Sequence, residues 1–204
     1  ESLPAEPTRH QTCAIYNGQV SPIVGFGIKG MIWYQGESNT HKRPEHYEDL
    51  FVAFIHSLRE VWGQGCWPVY FAQLAPYFYT DGSDCYTLRE AQEKASTQIE
   101  NCGMAVLLDV GDSVTIHPPY KKEVGQRLAY QALNKTYGLH HLPCESPTFQ
   151  SMERKGSYLI VHFNNAPLGI MIYGPVRDLL VAGVDGVYYN AKAQWTKEGL
   201  KVWS

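Results

Sequence analysis

The chain has 204 residues, enough for one large domain or for one domain plus a small one. Hydrophobic residues make up 44% and charged residues 18%, which supports a packed core and argues against general disorder. A net charge of −3, with no lysine or arginine run, argues against nucleic acid or an anionic membrane as the main partner, and no apolar run approaches the roughly 20 residues of a membrane span.

Taken in order, Glu1 to His10 reads as an irregular or extended lead-in, and Thr12 to Ile23 as a brief helix ended by Ser21-Pro22. Ile28 to Tyr34 is an apolar run bounded by glycines, the pattern of a buried strand. It breaks into Gln35-Gly36-Glu37-Ser38-Asn39, and in open α/β sheets sites gather where strands end in this way. A plain turn there needs no Gln and Glu flanking a Gly. The plainer alternative is a polar loop that caps a helix.

His46 to Trp62 repeats apolar residues at three and four, which predicts a helix stopped by Gly63 and Gly65. Trp67 to Leu74 is a second strand, and Ala75 to Tyr86 a tyrosine-rich loop. Thr87 with Glu90 predicts a capping box for a helix running to about Glu100. Met104 to Val110 is a third buried strand. Gly111 to Tyr120 is a loop, and Lys121 to Tyr137 a helix closed by Gly138. Alternating strands and helices imply a parallel sheet.

The pattern changes after Leu142-Pro143-Cys144-Glu145-Ser146-Pro147, a linker-like stretch. Five short strands follow: Tyr158 to Phe163, Gly169 to Tyr173, Leu179 to Val184, Gly186 to Ala193 and Gly199 to Trp203. Asp185-Gly186 and Glu198-Gly199 read as hairpin turns. The expected division is an α/β domain over 1–143 and a small antiparallel β unit over 144–204. The five cysteines show no zinc spacing, and the His140-His141 pair lacks nearby ligands, so no metal is expected.

His117 is the strongest candidate for chemistry. It follows a buried strand and a Gly-Asp loop, which lets it reach the same sheet edge as Gln35 to Asn39. Its near-neutral pKa suits a general base. Asp109 and Asp112 flank its loop and are available as orienting carboxylates. A lone His is otherwise most often a surface or capping residue.

The stretch WYQGESN, preceded by Ile28-Lys29-Gly30, resembles the sialate O-acetylesterase group of carbohydrate esterases, within the SGNH hydrolase superfamily. The likeness recurs in Tyr16-Asn17-Gly18, Pro68 to Leu74, Leu88-Arg89-Glu90-Ala91-Gln92, Asp109 to Asp112, Ile116-His117-Pro118, and Lys122 with Gly125 to Ala129. It implies a three-layer, flavodoxin-like parallel-sheet core, incomplete at its N-terminus, followed by the small β unit. It implies that His117 is the catalytic base and that Gln35 supplies an oxyanion donor. The superfamily's usual orienting Asp falls on Val114, so that role is open between Asp112 and Glu37. Asp109 is expected to brace the loop through backbone N–H groups. Asn39 is read as substrate-binding. Arg89 and Gln92 either bind substrate oxygens or tie their helix to the loop.

The resemblance also exposes a gap. The family's nucleophile lies in a Gly-Gln-Ser-Asn block upstream of the Tyr16 segment, and no such block is present. Ser38 sits in the wrong motif to replace it, and Ser113 is weaker still. The implied protein is an internal piece of a longer esterase, its serine supplied by an upstream segment, with no cofactor and a secreted, lysosomal or periplasmic setting. The expected substrate is an acetylated carbohydrate, above all an O-acetyl ester of sialic acid, and the isolated chain is expected to be inactive. The rivals are an acetylxylan-type esterase and a non-catalytic sugar-binding protein on a degenerate scaffold. In the second, tyrosines of Pro76 to Tyr86 and of the C-terminal strands would stack on sugar rings.

Overall fold

The computed structural model describes residue 8, residues 11–170, residue 174 and residues 176–204. Contacts divide the chain into a unit ending at Cys144 and a unit over Glu145–Ser204. Among the described residues no helix is long and apolar enough to cross a membrane.

The first unit is built on three parallel strands in the order β1 (Met31–Trp33), β2 (Val69–Ala72), β3 (Cys102–Ala105). Met31 pairs with Val69, and Val69 with Cys102. All four residues of β2 are buried, and their alternation feeds two separate cores. Val69 and Phe71 pack with Phe51, Ile55 and Leu58 of α1 (Tyr47–Trp62) and with Leu88, Ala91 and Ala95 of α2 (Cys85–Gln98). Tyr70 and Ala72 face the other way, against Val124 and Leu128 of α3 (Lys121–Gln131). Helices on both faces of a parallel sheet make the three-layer α/β arrangement that the alternating pattern implied.

Several elements differ from expectation in physically telling ways. The N-cap of α2 is Asp84, whose carboxylate accepts from the Thr87 backbone N–H at 2.9 Å and from its hydroxyl at 2.6 Å. The helix therefore starts two residues before Thr87. The third strand ends at Ala105, although Leu107 and Val110 remain buried. Those two are loop residues filling the second core, and an apolar run does not tell a strand from a buried loop. The predicted helix over Lys121 to Tyr137 is α-helical to Gln131 and finishes as a π-turn at Ala132–Thr136.

The second unit holds a four-stranded antiparallel sheet in the order β4 (Thr148–Lys155), β5 (Tyr158–Asn164), β9 (Gly199–Trp203), β8 (Lys192–Thr196). A two-stranded ribbon joins β6 (Leu180–Ala182) to β7 (Tyr188–Asn190). β4 escapes the sequence pattern because it is an edge strand with mostly exposed, polar residues, so no buried face marks it. Of the strand expected over Gly169 to Tyr173, residues 171–173 lie outside the described residues.

β1 is an edge. Among the described residues nothing pairs with its outer side, and Ile32 at its centre is 68% exposed.

Candidate active site

Where β1 ends, Gly36 makes the corner possible. Its φ of +154° is one that side chains rarely adopt, and an added Cβ would press on Leu88 and on the Gln92 amide at 3.3 and 3.4 Å. A 3-10 turn at Glu37–Asn39 follows, held by the Asn39 N–H donating to the Gly36 carbonyl at 2.8 Å. The buried Thr40 hydroxyl donates to the Glu37 carbonyl at 2.8 Å.

This turn brings Gln35 and Asn39 together. The Gln35 amide Nε2 donates to Asn39 Oδ1 at 2.8 Å, and the Tyr47 hydroxyl donates toward Gln35 Oε1 at 3.4 Å and the Gln35 carbonyl at 3.2 Å. One amide hydrogen is thereby used, and the other has no partner among the described residues. Tyr47 escaped the sequence reading because its position in the helical repeat marks it as core, which it also is.

Of the two roles open to Arg89 and Gln92, their contacts are those of ties between helix and loop. Gln92 is fully buried, so it has no surface to offer a substrate; this corrects its reading as a binding residue. Its Oε1 accepts from the Leu74 N–H at 2.8 Å and its Nε2 approaches the Gln35 carbonyl at 3.5 Å. Arg89 donates from Nε to the Leu74 carbonyl at 3.0 Å and from Nη1 to Cys85 Sγ at 3.7 Å. Both tie α2 to the end of β2.

The loop over 111–120 reaches the corner. A cleft of about 260 Å³ is lined by Glu37, Ser38, His41, Tyr77, Tyr79, Thr80, Asp81 and Ile116, the last adjacent to His117. His117 itself is exposed, and its backbone N–H donates to Thr115 Oγ1 at 3.4 Å. Among the described residues no carboxylate touches its imidazole.

Asp112 is occupied in shaping this loop. Its Oδ1 accepts from the backbone N–H groups of Val114 at 2.7 Å and Thr115 at 3.0 Å, which hold its carboxyl below the usual range. The bracing expected of Asp109 thus falls to Asp112. Asp109 instead meets the Arg127 guanidinium two-pronged, both contacts at 2.6 Å, and that contact lowers its pKa. Arg127 also donates to the Val106 carbonyl at 2.6 Å, fastening α3 to the strand end. Glu37 is half-buried, and its carboxylate has no hydrogen-bond or ion-pair partner among the described residues.

The loop is anchored by the Asp112 N–H donating to the Pro76 carbonyl at 3.0 Å. A Cβ on Gly111 would lie 2.2 Å from that same carbonyl oxygen and 2.7 Å from the Pro76 nitrogen. Gly111→Ala is expected to force the two backbones apart at a cost of about 1–3 kcal/mol, read as a shifted urea midpoint. A midpoint equal to wild type would show that the contact gives way freely.

A second cleft, of about 360 Å³, opens on the other side of the corner. It is lined by Gln35 and Asn39 with Trp33, Tyr47, Leu50, Phe51 and Phe54, and is mainly apolar. Gln35 and Asn39 thus line an apolar cleft, and Glu37 and Ser38 a polar one.

Burial, reinforced by the Glu37 carboxylate, pushes the Tyr79 phenol up to about 12. A phenol raised from about 10 favours the folded state fully below pH 10, and that contribution is lost as pH rises through 12. Difference titration at 295 nm is expected to show one tyrosine ionising near pH 12 that is missing in Tyr79→Phe. A Tyr79-dependent step near pH 10 would refute the assignment.

Comparison with known proteins bears on the family and the fold. The family model for carbohydrate esterase, sialic acid-specific acetylesterase, matches residues 14–134. Rat sialate O-acetylesterase is 29% identical over an alignment of 168 residues that covers 73% of this chain and 30% of the relative. The human sialate O-acetylesterase is 27% identical over 165 residues, 72% of this chain and 31% of its own length. A solved carbohydrate acetylesterase from Xanthomonas citri superimposes with a TM-score of 0.80 at 32% identity, covering 93% of this chain and 45% of that one. The chain therefore spans about a third of the length of the curated relatives it matches. The α/β core with parallel strands agrees with the SGNH-type architecture that the motifs implied. With more than half of its residues matched, the chain belongs to the sialic acid-specific acetylesterase family of carbohydrate esterases.

Proposed function

We propose that this chain is part of a carbohydrate esterase that removes O-acetyl groups, with sialic acid O-acetyl esters as substrates, and that the serine nucleophile comes from a segment upstream of it. The observation that carries the reading is the shared cleft. Glu37 and Ser38 of the corner and Ile116 of the His117 loop border one opening at the ends of parallel strands.

In this reading the serine hydroxyl attacks the acetyl carbonyl as His117 takes its proton. The oxygen of the tetrahedral intermediate becomes negative and accepts the free Gln35 amide hydrogen. Collapse breaks the ester bond, and the sugar oxygen leaves with the proton from His117. Water, deprotonated by the same imidazole, then releases acetate and restores the serine. No metal or organic cofactor enters these steps. Glu37 orients the imidazole, because its carboxylate is uncommitted whereas Asp112 is spent on its own loop.

The open edge of β1 supports the origin of the serine. An added parallel strand would cover the exposed Ile32 and close the apolar cleft of Trp33, Leu50, Phe51 and Phe54. Such a strand would end beside Gln35. The same reading carries the expectation of a secreted, lysosomal or periplasmic setting.

Acetate release from 9-O-acetylated N-acetylneuraminic acid and from p-nitrophenyl acetate is the test. The protein carrying the upstream segment is expected to turn over, and the 204-residue chain alone is not. Robust turnover by the isolated chain, abolished in Ser38→Ala, would move the nucleophile into the corner. Failure of the longer protein on both esters would end the esterase reading.

A further inference from the structure

We propose that the polar cleft walled by Tyr77, Tyr79, His41 and Asp81, and bordered by Glu37, is the subsite for the sugar ring of the ester, and that the first four residues set the choice of sugar. The inference rests on the esterase reading only in naming its occupant.

The two clefts flanking the corner differ in what they can bind. The cleft on the Gln35 side offers mainly aromatic and aliphatic surface, which has little to give a hydroxylated ring. The cleft on the Glu37 side mixes two tyrosine rings with a histidine and two carboxylates. Sugars are recognised by that mixture: a ring face against the C–H surface, and acceptors and donors around the hydroxyl rim. At about 260 Å³ it holds one ring with its substituents rather than a chain of them.

Tyr77 and Tyr79 meet edge to face, with centroids 4.9 Å apart and planes at 90°. Two perpendicular aromatic walls thus line one opening. Burial of the Tyr79 hydroxyl beside the Thr40 hydroxyl, which itself donates to the Glu37 carbonyl, holds this wall in place. At the outer rim, Ser83 fixes Asp81 by donating to Oδ1 from its N–H at 3.1 Å and its hydroxyl at 2.6 Å. A ring seated here lies against Glu37 and against Ile116, the neighbour of His117 in the chain.

Sugar binding by the 204-residue chain tests this directly. Ligand-observed NMR titrations would use the methyl glycoside of 9-O-acetylated N-acetylneuraminic acid and an O-acetylated methyl xyloside, with circular dichroism confirming that each variant folds. One of the two sugars is expected to bind, with affinity lowered at least about tenfold in Tyr77→Ala and in His41→Ala. Absence of binding by either sugar, or binding that is unchanged in both folded variants, overturns the subsite. Hydrolysis of p-nitrophenyl acetate by the protein carrying the upstream segment reads the esterase separately. Turnover there with sugar binding indifferent to Tyr77 sinks the subsite alone. Tyr77-dependent sugar binding without turnover of any ester sinks the esterase alone.

Discussion

Replacing His117 with alanine is expected to lower kcat for acetate release about 10³-fold in the protein that carries its serine, in the middle of the range for loss of a general base. The loss should appear in kcat and kcat/KM together, because the imidazole acts as the proton moves and not in holding the ground state. Stability should change by no more than about 0.5 kcal/mol, since the side chain is exposed and only its backbone N–H bonds to Thr115. That separation makes the result informative: a folded variant with wild-type kcat would remove His117 from the chemistry altogether. Glu37→Gln is the companion variant. It keeps size and loses charge, so a smaller drop in kcat is expected if Glu37 orients the ring.

Gln35→Ala is expected to lower kcat by about 10²–10³, the effect of losing one oxyanion donor, with KM little altered. The structural reason is that this amide is already aimed. Asn39 takes one of its hydrogens and Tyr47 holds its oxygen, so the remaining hydrogen need not reorganise as charge develops. Gln35→Glu should be at least as harmful, because a carboxylate would repel the negative oxygen. Tyr47→Phe separates aiming from donation: the ring keeps its stack on Phe51 at 5.6 Å while the hydroxyl contact to Gln35 is lost. A modest fall in kcat is expected there. Equal activity in wild type and Gln35→Ala would leave the amide as a structural prop for the corner.

The polar residues show where reading a sequence succeeds and where it stops. Gln35 to Asn39 stood out in the sequence because a Gln–Gly–Glu–Ser–Asn run at a strand end has no plain turn chemistry behind it, but the Gln35–Asn39 hydrogen bond was not legible there. Arg89 and Gln92 looked identical in kind, polar residues in a matching motif, yet both brace the end of β2. Asp112 took the bracing role expected of Asp109, three residues away, because Arg127 on α3 captures Asp109. Tyr47 was hidden by its own burial.

By itself the sequence determined the alternation of strands and helices, the change of character near Cys144 and the family, since apolar periodicity reports which face is buried and motif order reports descent. Only the tertiary structure decided which carboxylate is free, which glutamine is buried and which cleft mixes tyrosines with charge. A polar atom's role depends on the partner that comes within about 3 Å of it, and those partners arrive from strands and helices tens of residues away.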